Sequence, residues 1–74
     1  MDWFYDQQKR RWKATIGEWI AIVQRAHESD MWYGVIERTG AQHERYKSGD
    51  FAWPQEARVW SEIQIDRLKG RKKR

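Results

Sequence analysis

The sequence predicts an α+β domain in which a three-stranded antiparallel sheet carries one C-terminal helix on one face (β-β-β-α). Two observations predict this fold. Three stretches rich in β-branched and aromatic residues lie between residues 18 and 47, separated by short turns, and short turns favour antiparallel neighbours. One amphipathic stretch follows over residues 54–68, and such a helix buries its apolar side against a sheet.

Length and composition indicate a single small domain. The chain has 74 residues, no cysteine and six tryptophans. Without cysteine there is no disulfide and no thiolate metal site, so the aromatic side chains are expected to supply much of the core. We expect no cofactor. The domain is expected to span residues 1–69, with its core in 14–68 and a basic tail in 70–74.

The N-terminal residues 2–11 show no clear period. Asp2 suits a helix N-cap, so a short helix reaching Arg10 is one prediction; a lid of aromatic residues over the core, or a partly disordered segment, are the others. The start of the chain lacks the basic and apolar regions of a signal peptide, and no stretch is apolar enough to span a membrane. A cytoplasmic protein is expected.

The strands are predicted from residue type and from the turns between them. Residues 12–16 alternate apolar and polar side chains up to Gly17, which suggests a bend or bulge. Thr39 and Gly40 are predicted to form a hairpin turn, because glycine accepts the positive φ that such turns require. The predicted strands cover residues 18–25, 31–38 and 42–47.

The helix is predicted to begin at Pro54, whose missing N–H would be unpaired there, and to end at Gly70. Its apolar side is predicted to consist of Ala57, Val59, Trp60, Ile63 and Leu68, with Ile65 on the opposite side. We expect Trp60 to be buried against Ile20, Ile22 or Val35.

Alternation divides the predicted sheet into two faces. One set of side chains (Ile20, Ile22, Tyr33, Val35 and Tyr46) is expected to pack under the helix. The other set combines basic and aromatic side chains, and an exposed face of this kind suits nucleic acid. Trp19 and Trp32 are also open to a purely structural interpretation as core residues. The predicted nucleic-acid-binding side chains of the sheet are Arg25, Trp32, Arg38, His43, Arg45 and Lys47.

The net charge of +4 is concentrated at the two ends of the chain. Residues 14–66 carry five basic and nine acidic side chains, whereas the C-terminus ends in a run of cations. Such a run contacts phosphates without reading sequence. The predicted tail contacts are Arg71, Lys72, Lys73 and Arg74.

The pattern Phe51-x-x-x-x-Glu56-Ala57-x-x-Trp60 after three strands resembles the N-terminal arm-binding domain of phage-type tyrosine integrases. The segment Gly17-Glu18-Trp19-Ile20-Ala21 is similar, more distantly, to the Gly-x-Trp-x-Ala strand of plant AP2/ERF DNA-binding domains. The resemblance covers about residues 16–68. It implies three strands in the major groove of double-stranded DNA with one helix behind them, in a phage or mobile-element protein. Trp53, where those families have a capping Thr, departs from the pattern.

Two functions from different classes stay open. The first is the nucleic-acid-binding protein described above; the second is a small phage-type protein that binds and inhibits a host protein or enzyme through exposed tryptophans. The net negative middle of the chain favours the second. Catalysis is not expected, because the sequence holds no nucleophile motif, phosphate-binding loop or metal-ligand spacing.

Overall fold

The computed structural model of this protein describes residues 2–27 and 29–71, without the side chains of 41–43 and 71. Five antiparallel strands form one sheet, in which they follow one another in chain order, and a helix follows the sheet. The elements are β1 Phe4–Asp6, β2 Arg11–Ile16, β3 Trp19–Arg25, β4 Trp32–Arg38, β5 Ala41–Lys47 and α1 Pro54–Arg71.

The α+β class is confirmed, but the prediction of three strands is wrong, because β1 and β2 extend the sheet to five. The alternating residues 12–16 belong to β2. Gly17 is not a bulge but lies in the two-residue turn between Ile16 and Trp19, which are paired, and its φ is 58°. A positive φ at this position matches the twist of a tight hairpin.

The N-terminal segment forms an edge strand rather than a helix. Asp6 at the end of β1 pairs with Arg11 at the start of β2. Asp6 Oδ1 accepts hydrogen bonds from the backbone N–H groups of Gln8 and Lys9, at 3.0 and 3.2 Å, and so organises the turn. A three-residue strand is too short for alternation to reveal it.

The helix begins at Pro54, as predicted. The Glu56 carboxylate accepts a hydrogen bond from the Trp53 N–H at 3.3 Å, and the Glu56 N–H donates to the Trp53 carbonyl at 3.2 Å. These bonds satisfy backbone groups at the helix start. The helix continues through Gly70 to Arg71, so the predicted end is wrong: glycine costs a helix only about 1 kcal/mol.

The side of the helix that contacts the sheet matches the predicted side only in part: Ala57 is buried, and Trp60 and Leu68 pack against the core, as predicted. Ala57, Ser61 and Ile65 are fully buried, and their four-residue spacing places them on one side of the helix. Val59 and Ile63 are exposed, so their prediction as core residues is wrong, as is that of Ile65 as an outward residue.

Gly34 in β4 marks the closest approach of the helix. A Cβ at this position would lie 2.8 Å from Ser61 Oγ, 3.2 Å from the Ala57 carbonyl oxygen and 3.2 Å from Trp60 Cε3. Only the absence of a side chain lets the helix lie so close to the strand. The partly buried Trp60 lies here, at the border of the core.

On β3 and β4 the sequence analysis assigns the two faces of the sheet in reverse, whereas on β5 it places Tyr46 correctly on the helix side, paired with Ile36. Trp19, Ala21, Ile36 and Ile65 form the buried cluster between sheet and helix. The side chains of Ile20, Ile22, Tyr33 and Val35 point the other way, because residues alternate along each strand. Trp60 lies on the helix side of the sheet, beside Gly34, whereas the side chains predicted to contact it point to the opposite side.

Trp3 is the N-terminal aromatic residue that packs against this cluster. Its Nε1 donates a hydrogen bond to the Glu62 carboxylate on α1 at 2.9 Å. Phe4 and Tyr5 are exposed, so the lid predicted for this segment is limited to Trp3.

The connection from β5 to α1 is tied to β4. Ser48 Oγ accepts a hydrogen bond from the Gly34 N–H at 2.8 Å, and Trp32 and Phe51 exchange two backbone hydrogen bonds of 2.7 Å. These bonds hold the start of the helix on one face of the sheet. No helix among the described residues is long and apolar enough to cross a membrane.

Candidate nucleic-acid interface

The sheet face opposite α1, here called the open face, is covered by no other element of the described residues. Its members follow from the register, because directly paired residues point to the same side. They are Phe4, Asp6, Arg11, Lys13, Thr15, Ile20, Ile22, Gln24, Tyr33, Val35, Glu37, Arg45 and Lys47.

The centre of the open face is apolar. Ile22 and Val35 are direct cross-strand partners, and Val35 is only 5% exposed although the helix lies on the other side. Lys47 is paired with Val35, and its Nζ lies 4.7 Å from the centre of the Tyr33 ring. The Lys47 methylenes therefore pass over Val35 while the ammonium group stays at the surface.

Two aromatic rings belong to the open face. The Tyr33 hydroxyl accepts a hydrogen bond from the side-chain amide of Gln24, its partner on β3. This bond and the Lys47 ammonium group fix the ring in place. Phe4, on the edge strand β1, is 57% exposed.

Cations lie on both sides of this centre. Arg11 and Lys13 are on β2, and Arg45 and Lys47 are on β5. Strand spacing separates the two pairs by about 14 Å. The open face also carries two carboxylates: Asp6, which accepts the turn N–H groups, and Glu37, which is paired with Arg45.

Three of the predicted binding residues lie on the helix-covered side of the sheet. Arg38 donates to Glu44 at 2.6 Å and to Glu18 at 3.1 Å. The hydrogen bond to Glu44, followed by that to Glu18, raises the pKa of Arg38 above its usual value. Arg25 donates to Asp30 at 2.6 Å, and Trp32 is half-buried beside Phe51. The structure thus separates Arg25, Trp32 and Arg38 from Arg45 and Lys47.

The remaining predicted residues lie outside this description. The side chains of His43 and Arg71 are not among the described ones, and neither are Lys72, Lys73 and Arg74. Sequence reasoning missed Arg11, Lys13 and Tyr33 as open-face residues. Treating residues 11–16 as a strand would have revealed the first two, because Arg11, Lys13 and Thr15 alternate with Trp12, Ala14 and Ile16.

A second surface is apolar rather than basic. Trp53, immediately before the helix, is 65% exposed, and Val59 and Ile63 are exposed one turn apart on the outer side of α1. Contact between such a surface and another protein is common.

The described residues hold no group of three His, Cys, Asp or Glu side chains suited to a metal ion. A scan against protein-family models and searches of curated proteins and solved structures find no match to this chain. The resemblance to integrase arm-binding and AP2/ERF domains therefore stays a prediction. The functional argument rests on the geometry of the open face.

Proposed function

We propose that the protein binds nucleic acid through the open face and catalyses no reaction. One observation carries the proposal: two pairs of cations, on β2 and β5, border a centre that presents a fixed tyrosine ring. Cations neutralise phosphates and release their counterions, which supplies most of the affinity for nucleic acid. The apolar centre provides a contact for bases or sugars.

This proposal retains Arg45 and Lys47 from the sequence analysis and adds Arg11 and Lys13. Arg38 has no role in it, because its guanidinium group already donates to two carboxylates. The C-terminal cations after the helix would add phosphate contacts that are independent of sequence. A cytoplasmic location is part of the same proposal.

The second candidate function is binding of a host protein. The exposed Trp53, Val59 and Ile63 favour it, since tryptophan is enriched among residues that dominate protein interfaces. The apolar surface lies on the helix, away from the open face, so changes on one surface should not affect binding at the other.

The test removes two charges from the open face and compares this with removing two charges elsewhere. Arg45→Gln with Lys47→Gln keeps most of the methylenes and loses two cations of the open face. Arg67→Gln with Lys69→Gln is the control, because both residues are exposed on α1. Binding of labelled DNA and RNA oligonucleotides is measured by fluorescence anisotropy at several salt concentrations.

We expect the open-face variant to bind at least about tenfold more weakly at low salt, with the slope of log K against log salt reduced by about 2. The control should change the affinity much less. Equal losses in both variants would show that only overall charge matters, and the open face would then not be the interface.

A further inference from the structure

We infer that the nucleic acid bound by the open face is single-stranded. This inference rests on the proposed function and names its substrate class. The sequence analysis favoured double-stranded DNA because the resemblance to integrase arm-binding and AP2/ERF domains implies three strands in the major groove. The presence of five strands changes the geometry of any contact.

The sheet is wider than the three-stranded contact that the sequence suggested. Neighbouring strands lie about 4.8 Å apart, so three strands span about 10 Å and five span about 19 Å. The major groove of B-DNA is about 12 Å wide and admits a helix or a narrow β-ribbon. Even without the short β1, the remaining strands span about 14 Å, which is wider than that groove.

A broad sheet face instead suits a strand whose bases are free to lie flat on it. Tyr33 and Phe4 supply rings on β4 and β1, two strands that lie about 14 Å apart in the sheet. Bases of a single strand stack on such rings, whereas the bases of a duplex are already stacked on each other. The cations on β2 and β5 then contact the backbone on each side of the apolar centre.

The fixed position of Tyr33 supports this role. Its hydroxyl is held by Gln24 and one side of its ring lies near the Lys47 ammonium group, so little ordering is needed when a base stacks on it. Phe4 is exposed on the edge strand β1, where a base can reach its ring.

The experiment compares three labelled probes of equal length: oligothymidine, oligouridine and a mixed-sequence DNA duplex. Each is titrated with the full chain and with the variants Tyr33→Leu, Tyr33→Phe and Phe4→Leu. Tyr33→Phe keeps the ring and loses only the hydroxyl, which makes it the matched control. Thermal melts show whether each variant is folded. If Tyr33→Leu does not fold, the Phe4→Leu titration tests whether an aromatic ring contributes to binding.

We expect the full chain to bind a single-stranded probe at least about tenfold more tightly than the duplex. Loss of one stacking ring should weaken single-strand binding by about 5-fold to 150-fold, with little effect on the duplex, and Tyr33→Phe should stay close to the full chain. The two single-stranded probes show whether DNA or RNA is preferred.

Duplex binding as tight as single-strand binding, with neither weakened by Tyr33→Leu or Phe4→Leu, would overturn the inference. If that duplex binding still fell in the Arg45→Gln, Lys47→Gln variant, the proposed function would stand without the inference. Failure to bind any of the three probes would overturn both.

Discussion

The two faces of the sheet share the central strands β3 and β4 but differ in the size of their side chains. Under the helix, these strands present Ala21 and Gly34 beside Trp19 and Ile36. On the open face they present Ile20, Ile22, Tyr33 and Val35. On these two strands the open face is therefore no less apolar in residue type than the covered one.

This difference shows that close approach, not hydropathy, selects the covered face. The helix contributes Ala57 and Ser61, and the Ser61 hydroxyl donates to the Ala57 carbonyl at 2.9 Å, which satisfies it inside the core. Small residues on both elements let the two backbones come close, and the side chains of Trp19 and Ile65 fill the space that remains. Larger side chains on the other face would hold a helix away.

The largest expected effect is on the covered face. Trp19 is 1% exposed, and we expect Trp19→Ala to lower the free energy of unfolding by about 3–5 kcal/mol, which unfolds a marginal domain. Trp53→Ala is the matched control, because Trp53 is 65% exposed and its loss should cost less than about 0.5 kcal/mol. Thermal and urea unfolding measure both. Similar losses for the two would mean that the covered face is not the core.

The second effect tests close approach directly. Gly34→Ala would place a Cβ against Ser61 and Ala57, and we expect this overpacking to cost about 1–3 kcal/mol. Gly49→Ala is the control, since no atom lies within 4 Å of a Cβ there. Urea unfolding compares the two variants. A Gly34→Ala protein as stable as Gly49→Ala would contradict the packing of the helix on β4.

These comparisons explain what the sequence could predict. The helix start at Pro54, the turn at Gly40 and the three later strands follow from local residue preferences, and all are observed. The face that the helix covers does not follow, because both alternating sets of β3 are apolar and alternation cannot rank them. The position of Gly34, between the bulky Tyr33 and Val35, was the available signal.

The candidate site is also predictable only in part from the sequence. Arg45 and Lys47 were selected as basic strand residues, and they lie on the open face. Arg38 was selected on the same ground, but its charge is committed to Glu18 and Glu44. Such ion pairs depend on how the strands are paired in the fold, so composition and alternation do not reveal them.

The smallest expected effect concerns the carboxylate within the open face. Glu37 is paired with Arg45 across β4 and β5, so it both repels a bound phosphate and offsets the charge of a proposed contact. Glu37→Gln should tighten binding of an oligonucleotide by about threefold, the size expected of one partly screened charge at close range. Asp66→Asn on α1 removes the same charge from the helix surface and should change the affinity less than about twofold. Anisotropy titrations at low and high salt compare the two variants, and the gain from Glu37→Gln should shrink at high salt. If instead Asp66→Asn tightens binding as much as Glu37→Gln, phosphate does not approach the open face more closely than it approaches the helix. The open face would then not be the nucleic-acid interface.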